Sequence, residues 1–242
     1  MKPPLSVVIL SGGLDSTTAL GIAVEDSSPD DVWAVSYEYG QKHAVEIQQA
    51  ILIAEHYNVK HSIIPLNPQM FKGGVLTTDE EIEDMRYDDL PQGTMSPTYV
   101  PFRNGNLIAQ SASFADSMLR SGFNSARGLA AWDTALLYCG MHAEDAAGFA
   151  YADCTPEFLG AMAAAVLIGT YERVRLHALF QQATKAEIIQ YGMRIEVPYH
   201  LTHSCYRGER PACGRCSTCH ARLEAFMEAG FPDPLEYANA RA

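Results

Sequence analysis

The sequence predicts an α/β protein: a parallel sheet with helices on both faces, followed by a small helical lobe that carries a cysteine cluster. Three observations predict it. Short apolar, β-branched runs alternate with single helical segments, the pattern of right-handed βαβ units. The first run turns into the next helix through Ser11-Gly12-Gly13. Four of the six cysteines are bunched between Cys205 and Cys219. Residues 1–200 are expected to form the sheet domain with helical insertions, and residues 201–242 the lobe.

Each element follows from local pattern. Leu5 to Leu10 is apolar and β-branched, so a buried strand, and a helix is expected from about Ser16 to Glu25. Val32 to Tyr37 is a second strand. Ala44 to Tyr57 is a helix, because Ile47, Ala50, Ile51 and Ala54 repeat at helical spacing. His61 to Leu66 is a third strand. Residues 67–101 carry four prolines and, between Asp79 and Asp89, seven acidic residues, so a long and partly mobile excursion is expected there. Asn104 to Arg120 is a helix with Asn104 as its cap, and Thr134 to Cys139 is a fourth strand. A helix is expected from Pro156 to about Val174, with Pro156 in its first turn. Thr184-Lys185-Ala186-Glu187 is a capping box that opens another helix. A last amphipathic helix runs to about Glu228 and is stopped by Gly230.

Composition narrows the function classes. The chain has 242 residues, 48% of them hydrophobic and 19% charged, which excludes global disorder. No apolar run approaches the roughly 18 residues that span a bilayer. The opening MKPPLSVVIL has only a six-residue apolar stretch, unlike a signal peptide, so a cytoplasmic protein is expected. The net charge of −12 argues against a surface that grips a nucleic-acid backbone. It does not argue against a phosphate-bearing small molecule, which backbone amides can hold.

Ser11-Gly12-Gly13-Leu14-Asp15-Ser16 joins the first strand to the first helix. Glycines let this backbone turn tightly, and the loop amides and the positive helix end then face outward as an anion site. Ser11 and Ser16 add hydroxyl donors. Asp15 suits a phosphate only if a cation such as Mg²⁺ accompanies it. The loop has neither the Lys-Ser/Thr ending of a Walker A site nor the spacing of a dinucleotide fingerprint.

Cys205, Cys213, Cys216 and Cys219 form C-x7-C-x2-C-x2-C, with Gly208 and Gly214 supplying turns. Thiolates at this spacing can close a tetrahedral Zn²⁺ site, and four protein ligands make such a site structural. An iron–sulfur cluster, a redox dithiol and unligated thiols fit the same spacing. Cys139 is expected in the core.

The string SGGLDS resembles the pyrophosphate loop of the PP-loop ATP pyrophosphatase superfamily. Five further motifs resemble the 7-cyano-7-deazaguanine synthase family within it. They are Tyr39-Gly40-Gln41-Lys42-His43 with Glu46; Val100-Pro101-Phe102-Arg103-Asn104; Asp145 with Gly148 and Tyr151-Ala152-Asp153-Cys154; Thr184 to Glu187; and Cys205-Tyr206-Arg207-Gly208 with Cys213 to Arg222. The resemblance runs over nearly the whole chain and implies a Rossmann-like, adenine nucleotide alpha hydrolase-like sheet.

It further implies ATP-dependent conversion of 7-carboxy-7-deazaguanine and ammonia to the nitrile, through an adenylated carboxylate and then an amide, with AMP and pyrophosphate released. Ser11, Gly12, Gly13, Leu14, Asp15 and Ser16 would hold phosphates, with Tyr39 and Gln41 near the nucleotide and Tyr37 beside them. Asp15, Ser16, Arg103 and Lys185 are the candidate catalytic residues. His43, Arg103, Asp145, Tyr151 and Asp153 are candidates for contacting substrate, Asp153 through purine N–H donors. Arg222 is expected to be structural. The family implies a homodimer with structural zinc, ATP as substrate and Mg²⁺.

The chain departs from the family pattern mostly where substrate contacts are expected. Phe149-Ala150 is inserted, Ala147 replaces serine, Thr155 replaces arginine, and Phe102 replaces glycine. Arg127, Arg173 or Arg175 could stand in for the missing arginine. A divergent member is therefore expected, with the ATP chemistry kept and the substrate or the endpoint, such as the amide, open to change. Other readings are a different PP-loop enzyme such as a tRNA thiolase, or a nucleotide sensor without catalysis. Pyrophosphate release separates the sensor from the enzymes.

Overall fold

The structure is a computed structural model, and it describes residues 2–42, 45–121 and 132–238. Among the described residues five strands form one sheet: β1 (Leu5–Ile9), β2 (Val32–Glu38), β3 (Lys60–Pro65), β4 (Ala135–His142) and β5 (Val174–Phe180). Their order is β3-β2-β1-β4-β5, and every pairing is parallel. The helices are α1 (Leu14–Asp26), α2 (Val45–His56), α3 (Arg103–Ser121), α4 (Pro156–Gly169), α5 (Lys185–Arg194) and α6 (Ser217–Ala229). All five residues of β1 are buried, as a central parallel strand covered on both faces must be. Two apolar clusters flank the sheet, one containing Val7, Ile108 and Leu137 and the other Val8, Leu20 and Ile189. Strand order reverses between β1 and β4, so the crevice at their carboxyl ends is where a ligand is expected.

Three expectations need correction. The helix expected to reach Val174 ends at Gly169, and a fifth strand follows. Tyr171 and Glu172 both adopt left-handed backbone, with φ of 54° and 60°. The Thr170 hydroxyl donates to the Val166 carbonyl and accepts from the Val174 N–H. The fourth strand runs past Cys139 to His142. Asn104 is not a cap, because Arg103 already opens α3.

Other expectations hold. Thr184 and Glu187 bond each other's backbone N–H groups at the start of α5. Gly230 ends α6 in left-handed conformation. The excursion from 67 to 101 is tied down at several points. Lys42 donates to the Glu80 carbonyl, Arg207 pairs with Asp84 at 2.5 Å, and Arg86 pairs with Glu224 on α6. Among the described residues no helix is long and apolar enough to cross a membrane.

Candidate active site

The loop from Ser11 to Ser16 leaves the buried end of β1 and turns at once into α1. Gly12 makes the turn possible: its φ is +85°, and a Cβ there would lie 2.3 Å from the Glu46 carbonyl oxygen of α2. Its own carbonyl accepts the His203 N–H at 3.0 Å. Gly140 on β4 is equally confined, since a Cβ would meet the Ser16 nitrogen at 2.9 Å. These two close approaches seat the loop between β1, β4 and α2. The Ser16 hydroxyl accepts from the Ser11 N–H at 3.1 Å and donates to the Gly13 carbonyl at 3.1 Å. Gly13 caps α1 with no side-chain hydrogen bond. The first amides of α1 therefore have no internal acceptor and carry the positive end of the helix dipole.

These amides face a cavity lined by Ser11, Gly13, Leu14, Asp15, Ser16 and residues from several other elements. Tyr37, Tyr39 and Gln41 line it from the end of β2, Arg103 from α3, Asp145 and Tyr151 from the turns after β4, and Lys185 from α5. Residues from all along the chain thus converge at the carboxyl edge of the sheet. Gly12 lies behind the loop and does not line the cavity.

Charge in this cavity is organised around Asp15. The Lys185 ammonium lies 3.6 Å from Asp15 Oδ2, and His142 Nε2 lies 3.8 Å from the same oxygen. Asp15 Oδ1 is buried with no hydrogen-bond partner, which fits a carboxylate waiting for a cation. Burial works to lower the Lys185 pKa, but the Asp15, Asp145 and Glu144 carboxylates outweigh it and hold it above 10.5. Lys185 therefore stays charged through neutral pH. Its backbone N–H donates to Glu144 Oε1 at 3.2 Å, which fixes the start of α5 against the turn after β4.

Arg103 donates to the Tyr39 hydroxyl at 3.4 Å and to Asn104 Oδ1 at 3.3 Å. Burial opposes its charge, but Tyr39, Tyr206 and Asp153 together raise its pKa. Three phenols, Tyr87, Tyr151 and Tyr206, line the same cavity. Their hydroxyls are linked, Tyr87 to Tyr206 at 3.2 Å and Tyr151 to Tyr87 at 3.4 Å. Burial pushes the Tyr87 and Tyr206 pKa values well above the usual phenol value, so both keep their protons.

Two sequence-based site residues are used differently from expectation, and a third lies outside the described residues. Asp153 is 3% exposed and does not line the cavity. Its Oδ2 accepts the Asn104 N–H at 2.9 Å, supplying from another segment the cap that Asn104 does not provide. Burial raises the Asp153 pKa above 3.8, and the Asn104 hydrogen bond only partly offsets this. Gln41 lines the cavity but spends both ends of its amide on nearby backbone, accepting from the Tyr39 N–H and donating to the Tyr37 carbonyl. His43 lies outside the described residues.

The departures from the family pattern also have local explanations. Thr155 caps α4, accepting the Phe158 N–H at 3.3 Å. Phe102 keeps a glycine-like φ of +49° and sets its ring edge-on to Phe158 at 5.6 Å. Inserted Phe149 is 61% exposed with φ of +64°, so the insertion bulges outward. Arg173 bonds the Asp133 and Leu119 carbonyls, and Arg175 lies toward the start of β5. Neither lines the cavity, so neither replaces the missing arginine; Arg127 lies outside the described residues. Sequence reasoning missed His142, Glu144 and Tyr87. The first two follow a strand end misjudged by three residues, and Tyr87 sits in the aperiodic excursion.

The four clustered cysteines are all buried, and their sulfurs lie within 4.8 Å of one another. Cys216 and Cys219 sulfurs are 3.5 Å apart, and those of Cys213 and Cys219 are 3.9 Å apart. Metal–sulfur bonds of about 2.3 Å in a tetrahedron need sulfurs about 3.8 Å apart, so the group can hold a metal ion. The N–H groups of Arg215 and Cys216 both point at the Cys213 sulfur at 3.4 Å. Tyr206 follows Cys205 directly, so the cysteine loop also builds the cavity wall. Arg222 is structural as expected. It is 1% exposed, holds Asp233 through two 2.9 Å bonds, and donates to Thr202 Oγ1 at 2.7 Å.

A parallel sheet of this order, with an open Gly-Gly loop at the switch point and a lysine and arginine facing it, defines an enzyme of the PP-loop class. The family model described as queuosine biosynthesis protein QueC matches residues 5–230, and the chain belongs to that family. The 7-cyano-7-deazaguanine synthase of Thermoplasma volcanium is 36% identical over 241 residues, covering 98% of this chain and 92% of that protein. The proteins of the same name from Oceanobacillus iheyensis and Clostridium kluyveri are each 36% identical, covering 96% and 98% of this chain and 97% and 99% of their own lengths.

Proposed function

We propose that this chain makes 7-cyano-7-deazaguanine, the product in the names of its relatives, from 7-carboxy-7-deazaguanine, ammonia and ATP. The observation that carries the reading is the uncapped start of α1 facing a cavity that also holds Lys185 and Arg103. A carboxylate oxygen is a poor leaving group until it carries phosphate. Adenylation must therefore bring two anions together, and fixed donors and cations offset their repulsion. The amides of Leu14, Asp15 and Ser16 would hold the pyrophosphate end of ATP, with the Ser11 and Ser16 hydroxyls beside them. Lys185 and Arg103 would neutralise the phosphate and substrate carboxylate charge. Tyr37 and Tyr39 would flank the nucleotide, and Asp145 and Tyr151 the heterocycle. Ammonia would displace AMP to give the amide, and a second ATP would activate the amide oxygen for loss as AMP.

Asp15, with its unpartnered Oδ1, would hold Mg²⁺, which supplies charge neutralisation on the pyrophosphate. Cys205, Cys213, Cys216 and Cys219 would hold zinc in a closed, structural site. A homodimer is supported by α4, whose exposed residues after Glu157 are Gly160, Ala161, Ala164, Ala165, Ile168 and Gly169. A cytoplasmic setting is supported by the thiol cluster.

The test is incubation with the acid, ATP and ammonium, followed by mass spectrometry and nucleotide analysis. Nitrile with AMP is expected. Amide alone would shift the endpoint, neither product would reject the substrate, and ADP in place of AMP would reject the chemistry.

A further inference from the structure

A second cavity, of about 510 Å³, lies against the first. Tyr87, Asp145, Tyr151 and Lys185 line both and so form a partition. The far wall comes from α6, through His220, Ala221, Glu224 and Glu228, and from Glu144 after β4. His142 also lines this second cavity. It is 2% exposed, and neither ring nitrogen makes a hydrogen bond. A buried imidazole in that condition calls for a ligand. Its Nε2 lies 3.3 Å from Asp145 Oδ1, so acceptors of both kinds meet at the partition.

The lining selects the sign of the occupant. Glu144, Asp145, Glu224 and Glu228 face Arg86 and Lys185, and Arg86 is already paired with Glu224. A nucleotide or a heterocyclic acid would be repelled here, whereas a cleft with excess negative charge concentrates small cations. The partition already holds one alkylammonium, that of Lys185 beside Asp15. Once nucleotide and acid fill the first cavity, a small nucleophile needs a separate path to the reacting carbon.

We propose that the second cavity is the binding chamber and access route for ammonium, ending on His142 and Asp145 at the partition. This rests on the functional reading above. The imidazole nitrogen and the carboxylate accept N–H bonds from the ion, and the acidic residues of α6 draw it in.

The experiment separates the two ideas. Acid-dependent exchange of label between pyrophosphate and ATP, without ammonium, reports adenylation alone. Ala221→Phe narrows the chamber, and Glu228→Gln removes an exposed charge from its rim. Each is expected to raise the KM for ammonium on the order of threefold to tenfold, with the exchange rate and the KM for ATP and acid unchanged. Intact exchange in both variants is also the check that they fold. Unchanged ammonium KM in both variants, with exchange intact, would overturn the route alone. A raised KM for the acid would overturn it too, by giving the chamber to the acid. No acid-dependent exchange in the wild-type protein would overturn the functional reading and the route together.

Discussion

The Asp153 carboxylate accepts the backbone N–H of Asn104 at 2.9 Å. The bond crosses from the segment after β4 to the first turn of α3, and so fixes the helix end that carries Arg103.

Asp153→Ala should therefore leave a buried N–H unsatisfied and cost about 1–3 kcal/mol. Asp153→Asn keeps an acceptor and should cost less than about 1 kcal/mol. Because burial raises the folded pKa of this acid above 3.8, its contribution to stability is fully present below 3.8 and lost as pH rises through the folded value. Urea unfolding of both variants across pH 3 to 7 checks this, and the asparagine variant should lack that acid-range loss.

Gly12→Ala should disable the loop. The new methyl would sit 2.3 Å from the Glu46 carbonyl, at a φ of +85°, so backbone must move. A left-handed alanine alone costs about 1–2 kcal/mol. Calorimetric titration with ATP should detect no binding, while circular dichroism still reports the sheet.

Lys185→Met should cut turnover by on the order of a hundredfold or more, as loss of a preorganised charge stabiliser does. The wild-type lysine stays protonated below 10.5 because the carboxylates outweigh burial. Its favourable charge is present below that value and lost only as pH rises through the higher folded pKa. A pH–rate profile from 6 to 9 should show no step assignable to Lys185, and a step there that disappears in the variant would contradict the assignment.

Metal removal should unfold the C-terminal segment, since apparent metal-binding energies of about 10–16 kcal/mol in small zinc sites are folding energy. Thermal melts with and without a strong chelator, together with elemental analysis, test this. Cys213→Ser should reproduce the chelated melt. An unaltered curve after complete metal loss would remove the structural role.

Ala164→Arg should yield monomers if copies meet through α4, because it sets a charge in an exposed apolar face. Light scattering should report half the native mass with the melt unchanged.

Much of this architecture was legible because its signals are local. Gly-Gly after a buried run, the Thr184–Glu187 box and the Gly230 stop each depend on a few adjacent residues, and each behaves as read. The fifth strand was lost because Leu167 to Phe180 mixes apolar residues with Thr170, Glu172, Arg173, Arg175 and His177. Such a run suits a helix end as well as an edge strand. Gly169 and the left-handed pair Tyr171 and Glu172 decide it, and only the first leaves a mark in sequence. Asp153 and Gln41 show the other limit. Their residue types fit ligand contact, but both side chains are used by backbone groups, one of them 49 residues away. No spacing rule reaches that far.

Cys205 and Tyr206 are peptide neighbours, one buried among the thiols and the other on the wall facing the reactants. Damage to the thiol cluster should therefore be felt first as lost chemistry. Peroxide or metal starvation would slacken the phenol wall while the sheet stands, silencing the enzyme before it melts.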